Sequence, residues 1–178
     1  MSQTQVPKHR MLIGGEFVES ASGEYDEVLN PANGAVIGAV PRSNQEDVDR
    51  AVAAAQKALP AWLETTPAER SYLLHALADV AEKNALELAQ IESKNTGKPF
   101  MQAYYQMGYL FDTIRFFAGA ARHLEGLSAG EYSRGYTSYI RREPIGIAAG
   151  LAAWNYPIIM AAWKWAPAIA AGNVHITK

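Results

Sequence analysis

The residues best suited to chemistry fall in one short run, Trp154-Asn155-Tyr156-Pro157. It follows an apolar stretch, residues 145–152, that reads as a buried strand, and Pro157 opens an apolar helix after it. Asparagine at such a junction has two uses. As a helix N-cap, its side-chain oxygen accepts a backbone N–H of the first turn, where a proline loses no hydrogen bond. As a ligand group, its amide stands at the carboxyl end of a strand, where open α/β sheets bind ligands. There it can donate to a developing oxyanion, an interaction worth about 3 kcal/mol in a transition state. Spacing alone favours the cap. The two uses are compatible, because an amide has separate acceptor and donor ends. Trp154 and Tyr156 flank it, placed to exclude water and fix its rotamer.

Other chemistries find less support. Cysteine is absent, which removes disulfides, thiolate metal sites and any cysteine nucleophile within the chain. His9, His75, His123 and His175 have no metal-ligand spacing. No GxGxxG, P-loop, HExxH or GxSxG motif occurs. The 178 residues carry 16 basic and 18 acidic side chains, a net charge of −2, with no basic stripe for nucleic acid. No run of about 18 apolar residues suggests a membrane span. The segment MSQTQVPKHR lacks the apolar core of a signal peptide, so a cytoplasmic location is expected.

The elements that must position the run read as follows. MLIGGEFVES is a hairpin around Gly14-Gly15, and YDEVLNPANGAVIGAV two strands about a turn at 30–34. Ser43 with Glu46 forms a capping-box pattern for a helix over 44–63, with Val48, Val52, Ala55 and Leu59 inward. Thr66-Pro67-Ala68-Glu69 starts a second helix, with Leu73, Leu74, Leu77, Val80 and Ala81 inward. Asn84 and Glu87 start a third, stopped at Gly97. A fourth, from Pro99 to Leu124, carries seven aromatics, read mainly as core. EYSRGYTSYIRREP reads as a two-stranded ribbon, with Arg141 and Arg142 on opposite faces at its solvated edge or in a subunit contact. Strand 145–152, helix 157–171 and strand 174–178 then form a right-handed parallel βαβ unit. Two parallel strands do not make a stable sheet, so the chain reads as the N-terminal part of a larger α/β protein.

Several segments together resemble the NAD(P)-dependent aldehyde dehydrogenases. They are NPANGAVIGAV, NTGKPF, IRREPIG, AAWNYPIIMAAWKWAPAIAAGN and the closing Lys178, and the likeness covers the chain from Met11 onward. FFAGAARHLEGLSAGEY, TSYIRREPIG and WNYPIIMAAWK look most like the γ-aminobutyraldehyde (1-pyrroline) and betaine-aldehyde group. The resemblance implies an α/β fold with the start of a Rossmann-like sheet, a helical layer and an oligomerisation ribbon. Its division would be 1–124 for the N-terminal strands and helices of the cofactor domain, 125–144 for the ribbon, and 145–178 for the first βαβ unit.

By the same resemblance, Asn155 is the oxyanion donor, paired with the backbone N–H of a catalytic cysteine. Leu151, Ala152, Ala153 and Trp154 would line the NAD groove, and Lys178 would hold the adenosine ribose hydroxyls. Ala153 departs from the family's usual proline; alanine adopts the same backbone angles with less constraint. Tyr156, Met160 and Trp163 would line the substrate tunnel, whose aromatic rings suit an aldehyde bearing an amine through cation–π attraction. Asp112 is the one acid between Phe100 and Leu124 that such an amine could meet. The implied reaction is thiolate attack on an aldehyde, hydride transfer to NAD (NADP is the open alternative) and thioester hydrolysis by a glutamate-activated water. The cysteine and that glutamate belong to the family beyond the position of Lys178, so the 178 residues alone should be inactive. The implied assembly is a homodimer or homotetramer, with no metal. A stand-alone assembly module that pairs with a full-length homologue is the alternative.

Overall fold

A computed structural model describes residues 6–128 and 130–178. Residues 1–5 of the MSQTQVPKHR segment and Ala129 of the expected ribbon lie outside the described residues.

Two antiparallel hairpins come first. Strands β1 (Met11–Ile13) and β2 (Glu16–Val18) flank Gly14 and Gly15, both at positive φ, as a tight hairpin turn requires. Strands β3 (Tyr25–Leu29) and β4 (Val36–Pro41) flank the Asn30–Gly34 turn, with a register shift at Val28/Leu29. Helices α1 (Gln45–Leu63), α2 (Pro67–Lys83), α3 (Ala85–Thr96) and α4 (Phe100–Ala120) follow. The βαβ unit is strand β5 (Ile147–Gly150), helix α5 (Pro157–Ala170) and strand β6 (Val174–Thr177). Its strands are parallel, with Ile147 opposite Val174 and Gly150 opposite Thr177.

The hydrophobic core centres on α4, against which α2, α3 and α5 pack. Its members include Leu74 and Ala78 from α2, Ala89 from α3, Met107, Leu110 and Ile114 from α4, and Ile159 and Ala162 from α5. Many are alanines. Small side chains let helix backbones approach closely, so a modest number of large residues fills the space between them.

Four local expectations are corrected. The α1 capping box is Asn44 with Asp47, not Ser43 with Glu46. Asp47 also accepts from Ser20 Oγ at 2.6 Å and Ala21 N at 2.9 Å, so tertiary partners select the register. Ser43 Oγ instead contacts Met11 Sδ. On α2 the sequence holds two apolar stripes. The structure buries Leu74 and Ala78 and leaves Leu73, Leu77 and Val80 exposed; on α1, Val48 is exposed likewise. Asn84 makes no side-chain cap for α3; its Nδ2 donates back to Val80 O. On α4 the buried side is Ala103, Met107, Leu110, Phe111, Ile114 and Ala118, whereas Tyr105, Tyr109 and Phe116 are exposed. The aromatics of α4 are therefore largely surface, not core.

The expected ribbon is present as two isolated antiparallel bridges, Ser128–Tyr139 and Ser133–Tyr136, around a turn at Gly135. Arg142 Nε donates to Glu125 O across its base, and Arg141 pairs with Glu143 at the surface.

One side chain locks the βαβ unit. Asn173 Oδ1 accepts Gly146 N at 2.9 Å, and its Nδ2 donates to Ala168 O at 3.2 Å. The start of β5 is thereby tied to the last turn of α5. Buried Arg70 of α2 reaches the same place from below. Its Nε donates to Ala170 O at 3.1 Å and its Nη1 to Thr65 O at 2.6 Å, so one guanidinium satisfies carbonyls at the ends of α5 and α1. Burial holds its pKa below the usual arginine value.

Candidate active site

Strand β5 ends at Gly150, and the chain then runs through residues 151–156 before α5 begins. The sheet pairing continues just past the strands: Lys178 N donates to Gly150 O at 2.9 Å and Ala152 N to Lys178 O at 2.6 Å. Leu151, Ala152 and Lys178 thus sit together at the carboxyl end of the parallel pair. Leu151 and Lys178 are exposed, and Ala152 and Ala153 are half-buried. This is the edge where an open α/β sheet receives a ligand.

Asn155 lies in the turn after β5 and is exposed. It does not cap α5. The cap position belongs to Tyr156, with no side-chain cap bond. The backbone shows why: the turn needs one more residue before α5 begins, and that residue, Tyr156 at φ −141° and ψ 56°, takes the junction. Asn155 therefore keeps its amide free of capping duty. Trp154 does not shield it, since the indole is 86% exposed.

Tyr156 is held differently from expectation. The Lys98 ammonium lies 4.2 Å from its ring centroid, so a protein cation already occupies one face. Trp163, six residues into α5, donates from Nε1 to Thr113 Oγ1 of α4 at 3.1 Å. Asp112, Thr113, Phe116, Phe117 and Trp163 line a cleft of about 400 Å³ between α4 and α5. Met160 is half-buried on α5 and is not among the residues lining that cleft. The structure thus groups Trp163 with Asp112 and Tyr156 with Lys98, rather than placing the three substrate-facing candidates in one wall.

His175, left without a role by its spacing, lies over Gly150. A Cβ on Gly150 would come within 2.8 Å of His175 Nε2 and 2.9 Å of Lys164 Cδ, so a side chain there would push the imidazole and the lysine stem aside. Burial, then the Lys164 charge, depresses the His175 pKa, which favours the neutral ring. Its Nδ1 shares a hydrogen bond with Thr177 Oγ1. Among the described residues no cluster of three or more His, Cys, Asp or Glu could hold a metal ion.

No sequence pattern points to the cluster of buried Glu92 with Lys98 and half-buried Gln106, in which Lys98 Nζ lies 2.8 Å from Glu92 Oε1 and 3.0 Å from Gln106 Oε1. The step from Glu92 to Lys98 crosses the Gly97 break between α3 and α4, where one helix's periodicity no longer applies. No helix among the described residues is long and apolar enough to cross a membrane.

The fold has counterparts of known structure. An NAD-dependent aldehyde dehydrogenase from Sinorhizobium meliloti is 35% identical over 97% of this chain, with a TM-score of 0.92. A betaine aldehyde dehydrogenase from Staphylococcus aureus, solved with NAD+, is 33% identical over 95%, with a TM-score of 0.91. An NADP-dependent enzyme from E. coli is 29% identical over 99%, with a TM-score of 0.93. The chain spans 35%, 34% and 37% of those three chains, about a third of their length. The aldehyde dehydrogenase family model matches residues 17–178. With that match added to a parallel strand pair that opens into the Trp154–Pro157 turn, the chain belongs to the aldehyde dehydrogenase family.

Proposed function

We propose that these residues supply the oxyanion donor and part of the cofactor floor of an NAD-dependent oxidoreductase that converts an ω-amino aldehyde to its acid. The observation that carries this reading is Asn155: an exposed amide, free of capping duty, in the turn that follows the carboxyl end of β5. An amide N–H there stabilises negative charge as it builds on the aldehyde oxygen. The nucleophilic thiolate and the general base come from outside the chain, which has no cysteine. The 178 residues by themselves therefore form no product.

The donor set suits a dinucleotide. An exposed lysine ammonium offers donors to ribose hydroxyls, and the exposed and half-buried backbone of 151–153 offers a floor beside it. Bound NAD would accept the hydride; Lys178 would hold its ribose, and residues 151–154 would line its groove. The likeness to NAD-dependent and NADP-dependent relatives supports a nicotinamide dinucleotide at this edge.

Substrate class rests on the cleft between α4 and α5. Asp112 offers a carboxylate and Trp163 an aromatic ring in one cleft, a pairing that suits an ammonium. Tyr156 contributes less to cation recognition than its ring suggests, because Lys98 already faces it.

The test is Asn155→Ala in an active dehydrogenase containing this chain. The expected result is a fall in kcat of about 100-fold with NAD affinity unchanged. A loss under about threefold would assign the oxyanion contact elsewhere.

A further inference from the structure

The turn that carries Asn155 is poorly anchored by its own residues. Trp154 is solvent-exposed, Asn155 is exposed, and α5 begins without a side-chain cap. Backbone bonds hold its two ends: Ala152 N to Lys178 O before it, and Met160 N to Tyr156 O after it. The side-chain contact on the turn itself is Tyr156 on Lys98.

Lys98 is built to be rigid. Gly97 ends α3 at φ 77°, and a Cβ there would come within 3.1 Å of Pro31 Cβ, so the NPANG turn of the β3–β4 hairpin packs on it. Ser93 Oγ donates to Lys98 O at 2.8 Å, and Lys98 N donates to Thr96 Oγ1. The side chain is only 10% exposed, and its partner Glu92 only 4%. An ion pair this buried is a poor stabiliser: well-packed apolar residues of similar volume serve stability as well or better. What it does provide is a cation at a defined point under an aromatic ring.

We infer that Lys98 is a positioning residue for the oxyanion turn: its ammonium, fixed by Glu92 and Gln106, holds the Tyr156 ring and through it the register of Asn155 at the start of α5. The inference rests on the oxyanion reading for its catalytic consequence, but not for the anchoring itself. The α3–α4 junction, remote in sequence, thereby sets where the amide sits.

The anchoring is read by NMR on the active dehydrogenase that contains this chain. The Lys98 ε-methylene protons should be shifted upfield by the Tyr156 ring. The Met160 amide, which bonds the Tyr156 carbonyl, reports whether the turn is held. Lys98→Met alone would leave Glu92 charged and unpaired, so it is made together with Glu92→Gln. In E92Q/K98M, and separately in Tyr156→Leu with the ion pair intact, Met160 exchange should rise about tenfold. The Ala166 amide, further along α5, should not change. Lys98→Arg, which can also stack on the ring, should restore protection. Met160 exchange within twofold of wild type in Y156L would overturn the inference, even if E92Q/K98M fails to fold.

In the active enzyme, E92Q/K98M should lower kcat about tenfold and have no further effect on an Asn155→Ala background. Faster Met160 exchange with unchanged kcat would uphold the anchor and sink the oxyanion reading instead. Unchanged exchange with an intact Asn155→Ala effect would do the reverse.

Discussion

At the scale of single residues, the site is defined by what each side chain is free to do. Asn155 has no capping duty, and Trp163 faces a cleft that also contains a carboxylate. If that carboxylate selects the substrate, Asp112→Asn should raise KM for an ω-amino aldehyde about tenfold. The same change should leave KM for a neutral straight-chain aldehyde of equal length unmoved, and steady-state kinetics on the pair checks both. Much of this was legible beforehand. Asn155, Lys178 and Trp163 stand out by type and motif, and Asp112 by being alone among aromatics. The cap was misplaced by one residue, because a strand-to-helix turn has no periodicity to count. Lys98 has no local signature, because Glu92 lies across the Gly97 turn and the Tyr156 ring nearly sixty positions away.

At the scale of elements, caps and glycines carry the precision. Asp47 takes hydrogen bonds from Ser20, from the Ala21 and Asn44 backbones and from Arg50, and these hold its carboxyl pKa below the usual value. The sign follows from linkage. The folded state favours the ionised form, so the contribution is full above about pH 4 and is lost as pH falls through the lowered folded pKa. Denaturant midpoints measured from pH 6 down to pH 2 should fall below about pH 4, and Asp47→Asn should flatten part of that fall. Gly172 ends α5 at φ 90°, with Pro144 Cγ only 2.8 Å from where a Cβ would stand. Gly172→Ala meets both a disfavoured backbone and a ring, and should cost about 2–3 kcal/mol in chemical denaturation. Helix starts at Thr66 and ends at Gly97 were readable because these residues act locally. The Ser43/Glu46 box was not, because Asp47 wins through partners on the segment after β2, which no local pattern reveals.

At the scale of the whole molecule, an α4-centred helical layer supports one parallel strand pair, and a loosely bridged, exposed segment joins α4 to β5. In that segment Tyr132, Tyr136 and Tyr139 are each more than 70% exposed. Three exposed tyrosines on one short segment suit an association arm, since tyrosine combines apolar area with a polar tip. Replacing all three with serine should shift the assembly toward monomer in sedimentation experiments and leave the helical layer's circular dichroism intact. The class of fold was readable from the order of elements. The inward faces were read less well: α2 offers two apolar stripes of equal period, and only tertiary packing decides between them.

The position of α5 also sets an order of events during synthesis. Ile159 and Ala162 close the cluster that begins with Leu74 on α2, yet Ile159 lies 39 residues beyond the end of α4 at Ala120. At about 5–20 residues per second, the ribosome needs roughly 2–8 s to bridge that gap. For that interval the nascent chain holds α2 and α3 around α4 with one flank bare. A chaperone that meets this protein before the βαβ unit is made would find its apolar target on the side of α4 that α5 later covers.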